Sequence, residues 1–242
     1  MKLILGRKPV LEALNSGREI SQVIVAFGQR NSAIDKIRIA AKKQGVKFTE
    51  MPPQKFKRYE KNGNTQGVVA ITIDYKFYEV EELIDFSNRS PYPLLLLLDT
   101  IQDTHNLGAI LRTAETAGVD GIIVTLNNSA PLNETVEKTS AGALSHVKIA
   151  RVNNLRNAIT KLKENGFWII GTSLEGKQDY TKTDYKMPVA LVMGNEEKGI
   201  RKLTASLCDI LVKIPMEGKL QSLNVSVATG IVLYEILRQR NT

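Results

Sequence analysis

The sequence predicts an α/β protein whose larger part is a parallel sheet with helices on both faces, preceded by a small α/β domain. Short, almost entirely apolar stretches recur along the second part of the chain, and stretches of helical period separate them. Strands buried on both faces are apolar throughout, which is typical of parallel sheets. In the first third, shorter stretches of both kinds alternate before a polar segment that contains two prolines.

The first third predicts two helices and three strands. Apolar spacing places helices over residues 7–14 and 32–44, and apolar runs place strands over residues 23–27, 46–48 and 68–73. An acidic cluster, followed by prolines among small polar residues, is typical of a connector. We therefore expect an N-terminal domain at 1–74, a linker at 75–92 and a larger domain at 93–242.

The larger domain predicts strands and helices in alternation. The strands fall at residues 94–98, 122–125, 146–152, 167–171, 189–193 and 210–214, and the helices at 107–117, 136–144, 155–164 and 223–238. In such a sheet, ligands bind at the carboxyl ends of the strands, in the loops that lead to the next helix. Polar side chains in those loops are therefore the candidates for function.

Composition and charge narrow the class of protein. The single cysteine, Cys208, is typical of a reducing compartment, and the apolar run at 94–98 is far shorter than the roughly 20 residues that cross a bilayer. The stretch at 3–5 is too short for a signal peptide, so we expect a cytoplasmic protein. Of the net charge of +8, residues 1–74 contribute 14 basic and 6 acidic side chains. This asymmetry indicates a polyanionic partner, although a solvated basic surface has the same composition.

The first candidate loop is at residues 99–112, with the sequence DTIQDTHNLGAILR. Asn106 is a suitable N-cap for the helix that follows, and Arg112 lies beside the buried stripe of that helix, where it could lean over a ligand. Capping by Asn106 and solvation of Arg112 would explain the two residues equally well.

The second candidate loop is at residues 192–200, with the sequence VMGNEEKGI. Gly194 would let the backbone approach a ligand closely, and Asn195 and Glu196 follow at the carboxyl end of the strand. An ordinary strand-to-helix turn with exposed acids remains an equal alternative.

The third candidate loop is at residues 214–230, with the sequence IPMEGKLQSLNVSVATG. Ser222 and Asn224 are predicted to begin the last helix, with Ser226 in its first turn. Backbone N–H groups at a helix start can hold an anionic or polar ligand group. Capping explains Ser222 but does not explain three polar side chains threaded among apolar ones.

Several kinds of site lack support. The chain contains neither the glycine pattern of a dinucleotide site after the first strand of the sheet nor that of a P-loop. Two histidines, His105 and His146, with one cysteine do not make a usual zinc site, so we expect no metal. No Ser-His-Asp arrangement is indicated either.

The three loops together resemble the three motifs of the SpoU (TrmH-type) RNA 2′-O-ribose methyltransferases, within the SPOUT superfamily. The resemblance rests on D-x-x-x-x-x-HNLGAILRTAETAG, which begins at Asp99, followed by GNEEKGI and IPMEGKLQSLNVSVATG in that order, and it covers residues 93–242. The N-terminal part opens with GRKPVLEAL and closes with TQGVVA, which resembles the ribosomal-protein-like RNA-binding domain of the RlmB-type branch. That branch methylates a guanosine of 23S rRNA, and LNETVEKTSAGA is also similar to it. Thr65 departs from the branch, whose members usually carry a histidine there.

The resemblance implies a C-terminal trefoil knot, S-adenosylmethionine as cofactor, and a homodimer with the active site near the subunit interface. Carried over by position, the cofactor-contacting residues would be Thr172, Gly194, Asn195, Ile214, Met216 and Leu223. The residues at the reacting end would be Asn106, Arg112, Glu196, Ser222 and Asn224.

The reaction implied is methyl transfer to a ribose 2′-hydroxyl. In this family the arginine of the first motif has been proposed as the base, but a guanidinium stays protonated in nearly all protein environments. We therefore expect Arg112 to bind a phosphate and stabilise a developing alkoxide, while Asn106, Glu196 or Asn224 orients the groups. The basic first domain is expected to hold RNA by its phosphates through Arg7, Lys8, Arg30, Lys55, Lys57 and Arg58.

Three alternatives stay open on the sequence. A tRNA ribose methyltransferase would carry the same motifs, although the extra N-terminal domain favours rRNA. A non-catalytic RNA-binding protein would need a decayed site, which the intact polar residues argue against. A nucleotide-binding metabolic enzyme would need the missing glycine pattern.

Overall fold

The computed structural model describes residues 2–16, 18, 20–72, 75–219 and 222–242. The chain divides into two compact units, Met1–Tyr75 with Pro131–Thr135, and Lys76–Ala130 with Val136–Thr242. The end of the predicted strand at Ile73, the predicted domain boundary at residue 74, and Leu220 and Gln221 of the third loop lie outside the described residues.

The described residues of the first unit form a four-stranded sheet with three helices. The elements are β1 Lys2–Leu5, α1 Arg7–Asn15, β2 Ile20–Ala26, α2 Ser32–Lys43, β3 Lys47–Met51, α3 Pro53–Glu60 and β4 Val68–Thr72. The strand order is β1-β4-β2-β3, and only the β2–β3 pair is parallel. The sequence pattern does not predict β1 or α3, because α3 buries only Phe56 and Tyr59.

The described residues of the second unit form an eight-stranded sheet in which every pair of neighbours is parallel. Its elements are β5 Phe77–Tyr78, α4 Val80–Ser87, β6 Leu94–Asp99, α5 Thr104–Thr116, β7 Gly121–Thr125, α6 Glu134–Thr139, β8 Ile149–Val152, α7 Leu155–Glu164, β9 Trp168–Thr172, β10 Gln178–Asp179, β11 Val189–Gly194, α8 Lys202–Ala205, β12 Ile210–Lys213 and α9 Val225–Arg240. The strand order is β10-β12-β9-β11-β6-β7-β8-β5, which confirms the predicted parallel sheet.

Strand β6 lies in the middle of this sheet and is buried on both faces. Leu95 and Leu97 pack in one cluster with the inner sides of α4 and α7, while Leu96 and Leu98, which point to the opposite face, are fully or almost fully buried as well. This burial explains why residues 94–98 are apolar without alternation.

Two charged or reactive groups of this unit are largely withdrawn from solvent. Burial raises the pKa of the partly buried Cys208 thiol to about 12, which disfavours the reactive thiolate form. Burial lowers the pKa of Arg240 to about 10, yet its guanidinium donates to the carbonyl oxygens of Tyr92, Tyr185 and Met187. These bonds attach the end of α9 to the loops at the amino edge of the sheet.

The structure corrects several boundaries. The segment 75–92, expected to be a linker, contains β5 and α4, and the inner side chains of α4 belong to the core of the second unit. The helix predicted at 136–144 ends at Thr139, because Ala141 and Gly142 adopt left-handed φ angles of 51° and 90°. Among the described residues, no helix is long and apolar enough to cross a membrane.

Candidate active site

The first and second candidate loops leave the sheet at the point where its strand order reverses, and the third follows β12 on the same side as β11. From β6 the chain proceeds to β7 and β8 on one side, whereas β11, β9 and β12 lie on the other. The parallel register places Asp99, the last residue of β6, beside Gly194, the last residue of β11. Ligands of open α/β sheets bind at such a reversal, outside the carboxyl ends of the strands.

A cavity of about 560 Å³ opens at this edge. This volume is within the range of roughly 300–1,000 Å³ that is usual for small-molecule sites. Its lining includes all six residues expected to contact a cofactor, together with two expected at the reacting end: Thr172, Gly194, Asn195, Ile214, Met216, Leu223, Glu196 and Ser222. Residues from the second and third candidate loops thus share one cavity.

A chain of hydrogen bonds connects all three candidate loops. Asn106 Nδ2 donates to Glu196 Oε1 at 2.6 Å, and Asn224 Nδ2 donates to Asn106 Oδ1 at 2.9 Å. Asn224 Oδ1 in turn accepts from the backbone N–H of Ser226 at 2.9 Å and from its hydroxyl at 2.6 Å. Because Asn106 uses both its amide nitrogen and its amide oxygen, the orientation of its side chain is determined by the other two loops.

The residues that cap helices α5 and α9 differ from those predicted. Asp103, and not Asn106, is the N-cap of α5, since its carboxylate accepts the Asn106 N–H at 2.8 Å. The Asn106 side chain is thereby left available for Glu196. Asn224 is the N-cap of α9, so Ser222 precedes the helix instead of beginning it.

The role of Gly194 also differs from the expectation of a close approach to a ligand. The backbones of Asn195 and Gly199 form a bridge of two hydrogen bonds, at 3.0 and 2.8 Å, which folds residues 195–199 into a tight turn. A Cβ atom on Gly194 would lie 2.1 Å from the backbone of Gly199 and Ile200. The glycine is therefore required by the close approach of the chain to itself.

Two family models match the chain. Residues 93–234 match the SpoU rRNA Methylase family, and residues 3–78 match the domain described as RNA 2′-O ribose methyltransferase substrate binding. The chain belongs to the SpoU family of RNA methyltransferases.

Relatives of this SpoU methyltransferase match over almost their whole length. YacO of Bacillus subtilis (strain 168), named as a TrmH family tRNA/rRNA methyltransferase, is 38% identical over 98% of this chain and 96% of its own. A Staphylococcus aureus (strain MSSA476) protein named for the same family is 37% identical, over 99% and 96%.

Solved structures share the fold. The SpoU methyltransferase AviRb from Streptomyces viridochromogenes, in complex with the cofactor AdoMet, has a TM-score of 0.64 at 26% identity, covering 99% of this chain and 90% of its own. An AdoMet-bound rRNA methyltransferase from Sinorhizobium meliloti has a TM-score of 0.64 at 30% identity, covering 98% and 86%.

Three residues predicted at the reacting end of this SpoU methyltransferase, Asn106, Arg112 and Asn224, are not among the described residues that line the cavity. Asn106 and Asn224 belong to the hydrogen-bond chain beside it, whereas Arg112 does not. The Arg112 side chain is exposed, and Arg112 is not among the described residues that line the cavity. Arg112 lies six positions after Asn106 in α5. An ideal helix rises about 9 Å over that distance and places the two side chains about 120° apart around its axis. Within one chain, Arg112 therefore does not share the hydrogen-bonded position of Asn106, and its role at the reacting end stays a prediction.

The six basic residues proposed for RNA contacts differ in their surroundings. Arg7 donates from Nε to the carbonyl of Gln66 and from Nη2 to Gln29, and Arg58 lies over the ring of Tyr59. The remaining four are exposed: Lys8, Arg30, Lys55 and Lys57. These partners are uncharged, so they order the side chains of Arg7 and Arg58 without neutralising their positive charge.

Sequence reasoning missed two residues at this edge, Asp99 and Arg201. Asp99 is completely buried and forms an ion pair with Arg201 at 2.7 Å. The available signal was a carboxylate at the end of an otherwise apolar strand, since buried carboxylates are rare without a partner.

Proposed function

We propose that this SpoU methyltransferase transfers a methyl group from S-adenosylmethionine to a ribose 2′-hydroxyl of RNA, with a guanosine of 23S rRNA as the target. The observation that carries the proposal is the convergence of the three loops, which place one cavity beside one chain of polar side chains. A tRNA ribose is the second candidate, because the relatives are named for tRNA and rRNA alike.

The cavity fits such a cofactor by its chemistry. One part of the lining is apolar, with Leu211, Ile214 and Met216, as a planar purine requires. Another part carries Ser173 and Glu175, which can pair with the amino group of an amino-acid tail. The bound cofactor would supply an electrophilic methyl carbon. The AdoMet complexes of the two structural neighbours support the assignment.

The polar side chains orient the nucleophile. A 2′-hydroxyl is a weak nucleophile, so the site must align it in line with the methyl group and stabilise it as its proton leaves. Because Asn106 is held by Glu196 on one side and by Asn224 on the other, these groups are arranged before RNA binds. Such preorganisation is the usual source of electrostatic stabilisation in enzyme sites.

We propose that two copies of the chain associate through the outer face of α9. Val227 and Tyr234 are about half exposed and seven residues apart, with the partly buried Ile231 between them, so they form an apolar stripe at helical spacing. Gly230 of α9 faces Thr113, the neighbour of Arg112. A dimer through this stripe would bring Arg112 to the subunit interface, where it can bind an RNA phosphate and stabilise a developing alkoxide.

The Arg112→Lys variant tests this role of the arginine. We expect kcat to fall about tenfold to a hundredfold, because lysine keeps the charge but loses the planar fork that binds phosphate oxygens. The dissociation constant for S-adenosylmethionine should stay unchanged, since Arg112 does not line the cavity. The matched control is Arg156→Lys, at an exposed position on α7. Unchanged turnover of Arg112→Lys on bound RNA would contradict the proposed role.

We also propose that the N-terminal domain, residues 1–74, binds RNA by its phosphates while residues 93–242 carry catalysis. The Lys55→Gln/Lys57→Gln variant should bind RNA more weakly and reduce the slope of log K against log salt by about 1 per lysine removed. The control is Lys182→Gln/Lys186→Gln, which removes the same charge from exposed positions of the second unit. Equal losses in both variants, measured by filter binding across a salt series, would show that the effect is only one of net charge.

The methyl acceptor is tested directly. The purified protein is incubated with S-adenosylmethionine labelled in its methyl group and with either 23S rRNA or tRNA, and the RNA is then digested to nucleosides. We expect label in 2′-O-methylguanosine from 23S rRNA. Label in tRNA alone would favour the second candidate, and a protein that neither binds the cofactor nor labels any RNA would overturn the proposal.

The proposal also includes a cytoplasmic location of the protein and a trefoil knot in its C-terminal part.

A further inference from the structure

The turn that carries Glu196 is attached to the end of β6 at two points. At its start, Asn195 Nδ2 donates to the carbonyl oxygen of Thr100 at 3.2 Å. At its end, Asp99 accepts two hydrogen bonds from Arg201, Oδ2 from the backbone N–H at 3.0 Å and Oδ1 from Nε at 2.7 Å. Nη2 of Arg201 also lies 2.7 Å from Oδ1 in an ion pair. Two consecutive residues, Asp99 at the end of β6 and Thr100 directly after it, thus hold both ends of the 195–200 loop.

The pairing between Asp99 and Arg201 is asymmetric. The Asp99 side chain is completely buried, whereas the Arg201 side chain is 47% exposed. A buried carboxylate needs partners for both oxygens, and here the backbone and the guanidinium of one residue supply all of them. The Asp99 carboxylate therefore has one low-energy arrangement. That arrangement determines the position of Arg201, the residue that follows the loop.

The 195–200 loop reaches both parts of the proposed site. All six of its residues line the cavity, and Glu196 also accepts the hydrogen bond from Asn106. A displacement of the loop would therefore change the cavity wall and break the chain of polar side chains together.

We infer that Asp99 and Arg201 are positioning residues, which set the 195–200 loop and thereby the cavity and the place of Glu196. The inference rests on the proposed function, because it assigns the pair an effect on cofactor binding and methyl transfer. Neither residue touches the reacting groups. Their effect is transmitted through the backbone of the loop.

A carboxylate with the same kinds of partner, but partly exposed, lies at the opposite edge of the sheet. Asp209 accepts the backbone N–H of Ile169 at 2.8 Å and pairs with Lys163 at 2.6 Å. Like Asp99, it joins a backbone amide and a cation, and like Asp99 it belongs to the second unit, but it adjoins the amino end of β9. Asp209→Asn therefore reproduces the chemical change of Asp99→Asn away from the cavity.

The experiment compares the full-length Asp99→Asn, Arg201→Lys and Asp209→Asn variants with the unchanged chain. Amide hydrogen exchange without ligand reports the loop, calorimetry gives the dissociation constant for S-adenosylmethionine, and single-turnover methylation of saturating RNA gives the rate of transfer. In Asp99→Asn we expect faster exchange at the Gly199 and Arg201 amides, cofactor affinity at least tenfold weaker and transfer at least tenfold slower. Arg201→Lys should show a smaller loss in each, because it keeps the charge and the backbone bond.

The control decides between positioning and general destabilisation. Asp209→Asn should speed exchange near Ile169 and lower the unfolding temperature by less than Asp99→Asn, because the Asp209 side chain is 28% exposed. Its cofactor affinity and transfer, measured like those of Asp99→Asn well below the unfolding temperature, should stay within twofold of the unchanged chain. Wild-type affinity and transfer in Asp99→Asn, or equal losses in Asp209→Asn, would overturn the inference.

If the unchanged chain neither binds cofactor nor transfers methyl, the proposed function fails instead. Unaltered exchange in the loop of Asp99→Asn would still overturn the positioning inference in that case. If Asp99→Asn does not fold, the Arg201→Lys variant decides alone, and wild-type values in it would overturn the inference.

Discussion

The Asn106→Asp variant is expected to lose at least a hundredfold in kcat. The substitution replaces the amide nitrogen that donates to Glu196 at 2.6 Å by a carboxylate oxygen, so that two negative groups face each other. The chain from Asn224 to Glu196 is then broken at its centre. Removal of a single preorganised donor at an active site commonly lowers kcat by about 10²–10³.

The fold should tolerate this change. Asp103 caps α5, so Asn106 is not needed for the helix start, and a negative charge in the first turn of a helix is favourable. Activity should recover in part as the pH falls, because two adjacent carboxylates share a proton with a raised pKa and the protonated one can donate again. Methyl-transfer rates measured between about pH 5 and 8 check this expectation.

Asn154→Asp is the matched control for Asn106→Asp. Asn154 caps α7 through its side-chain oxygen, and aspartate is an equally good N-cap. The control should therefore retain both turnover and unfolding temperature. Wild-type turnover in Asn106→Asp would show that the hydrogen bond to Glu196 has no part in catalysis.

The Gly194→Ala variant has the second large expected effect, on cofactor binding and on stability. The added methyl group would lie 2.1 Å from the backbone of Gly199 and Ile200, and backbone cannot rotate away as a side chain can. The turn must open, which we expect to cost about 3 kcal/mol of unfolding free energy, or about 10 °C in Tm. Cofactor affinity should fall at least tenfold, because residues 195–200 line the cavity.

Gly218→Ala separates this steric effect from the loss of a glycine as such. Nothing lies within 4 Å of a Cβ atom at Gly218, and its backbone is not in the left-handed region. Cofactor affinity, measured by calorimetry well below Tm, should therefore be unchanged in this variant. Tight binding by Gly194→Ala would mean that the turn can widen without disturbing the cavity.

The fold class could be predicted because it depends on local composition. A strand such as β6 is apolar at every position only if both of its faces are covered, and that requirement is present in the residues themselves. The short elements could not be predicted in this way. For example, β5 has two residues, and it is held in place by its pairing with β8.

The candidate site was predicted as a set of residues and not as an arrangement. Of the predicted set, the six cofactor residues, Glu196 and Ser222 line one cavity, but their assignment to a bound cofactor stays a prediction. The sequence predicts Asn106 as the N-cap, whereas the helix begins at Thr104 and Asp103 caps it, because the local pattern does not define the first residue of α5. Arg112 was placed with the other site residues although α5 turns it away from Asn106.

The parallel α/β fold, the three polar loops and the family resemblance can be predicted from the residues, because apolar periodicity and motif order are properties of the chain alone. Three contacts are seen only in the folded chain: Asn106 with Glu196 and Asn224, Gly194 with its own turn, and Asp99 with Arg201. Each of these contacts joins residues that are distant in the chain or depends on the path of the backbone. Such contacts exist only after the strands of the sheet have paired in register, and no local pattern encodes that register.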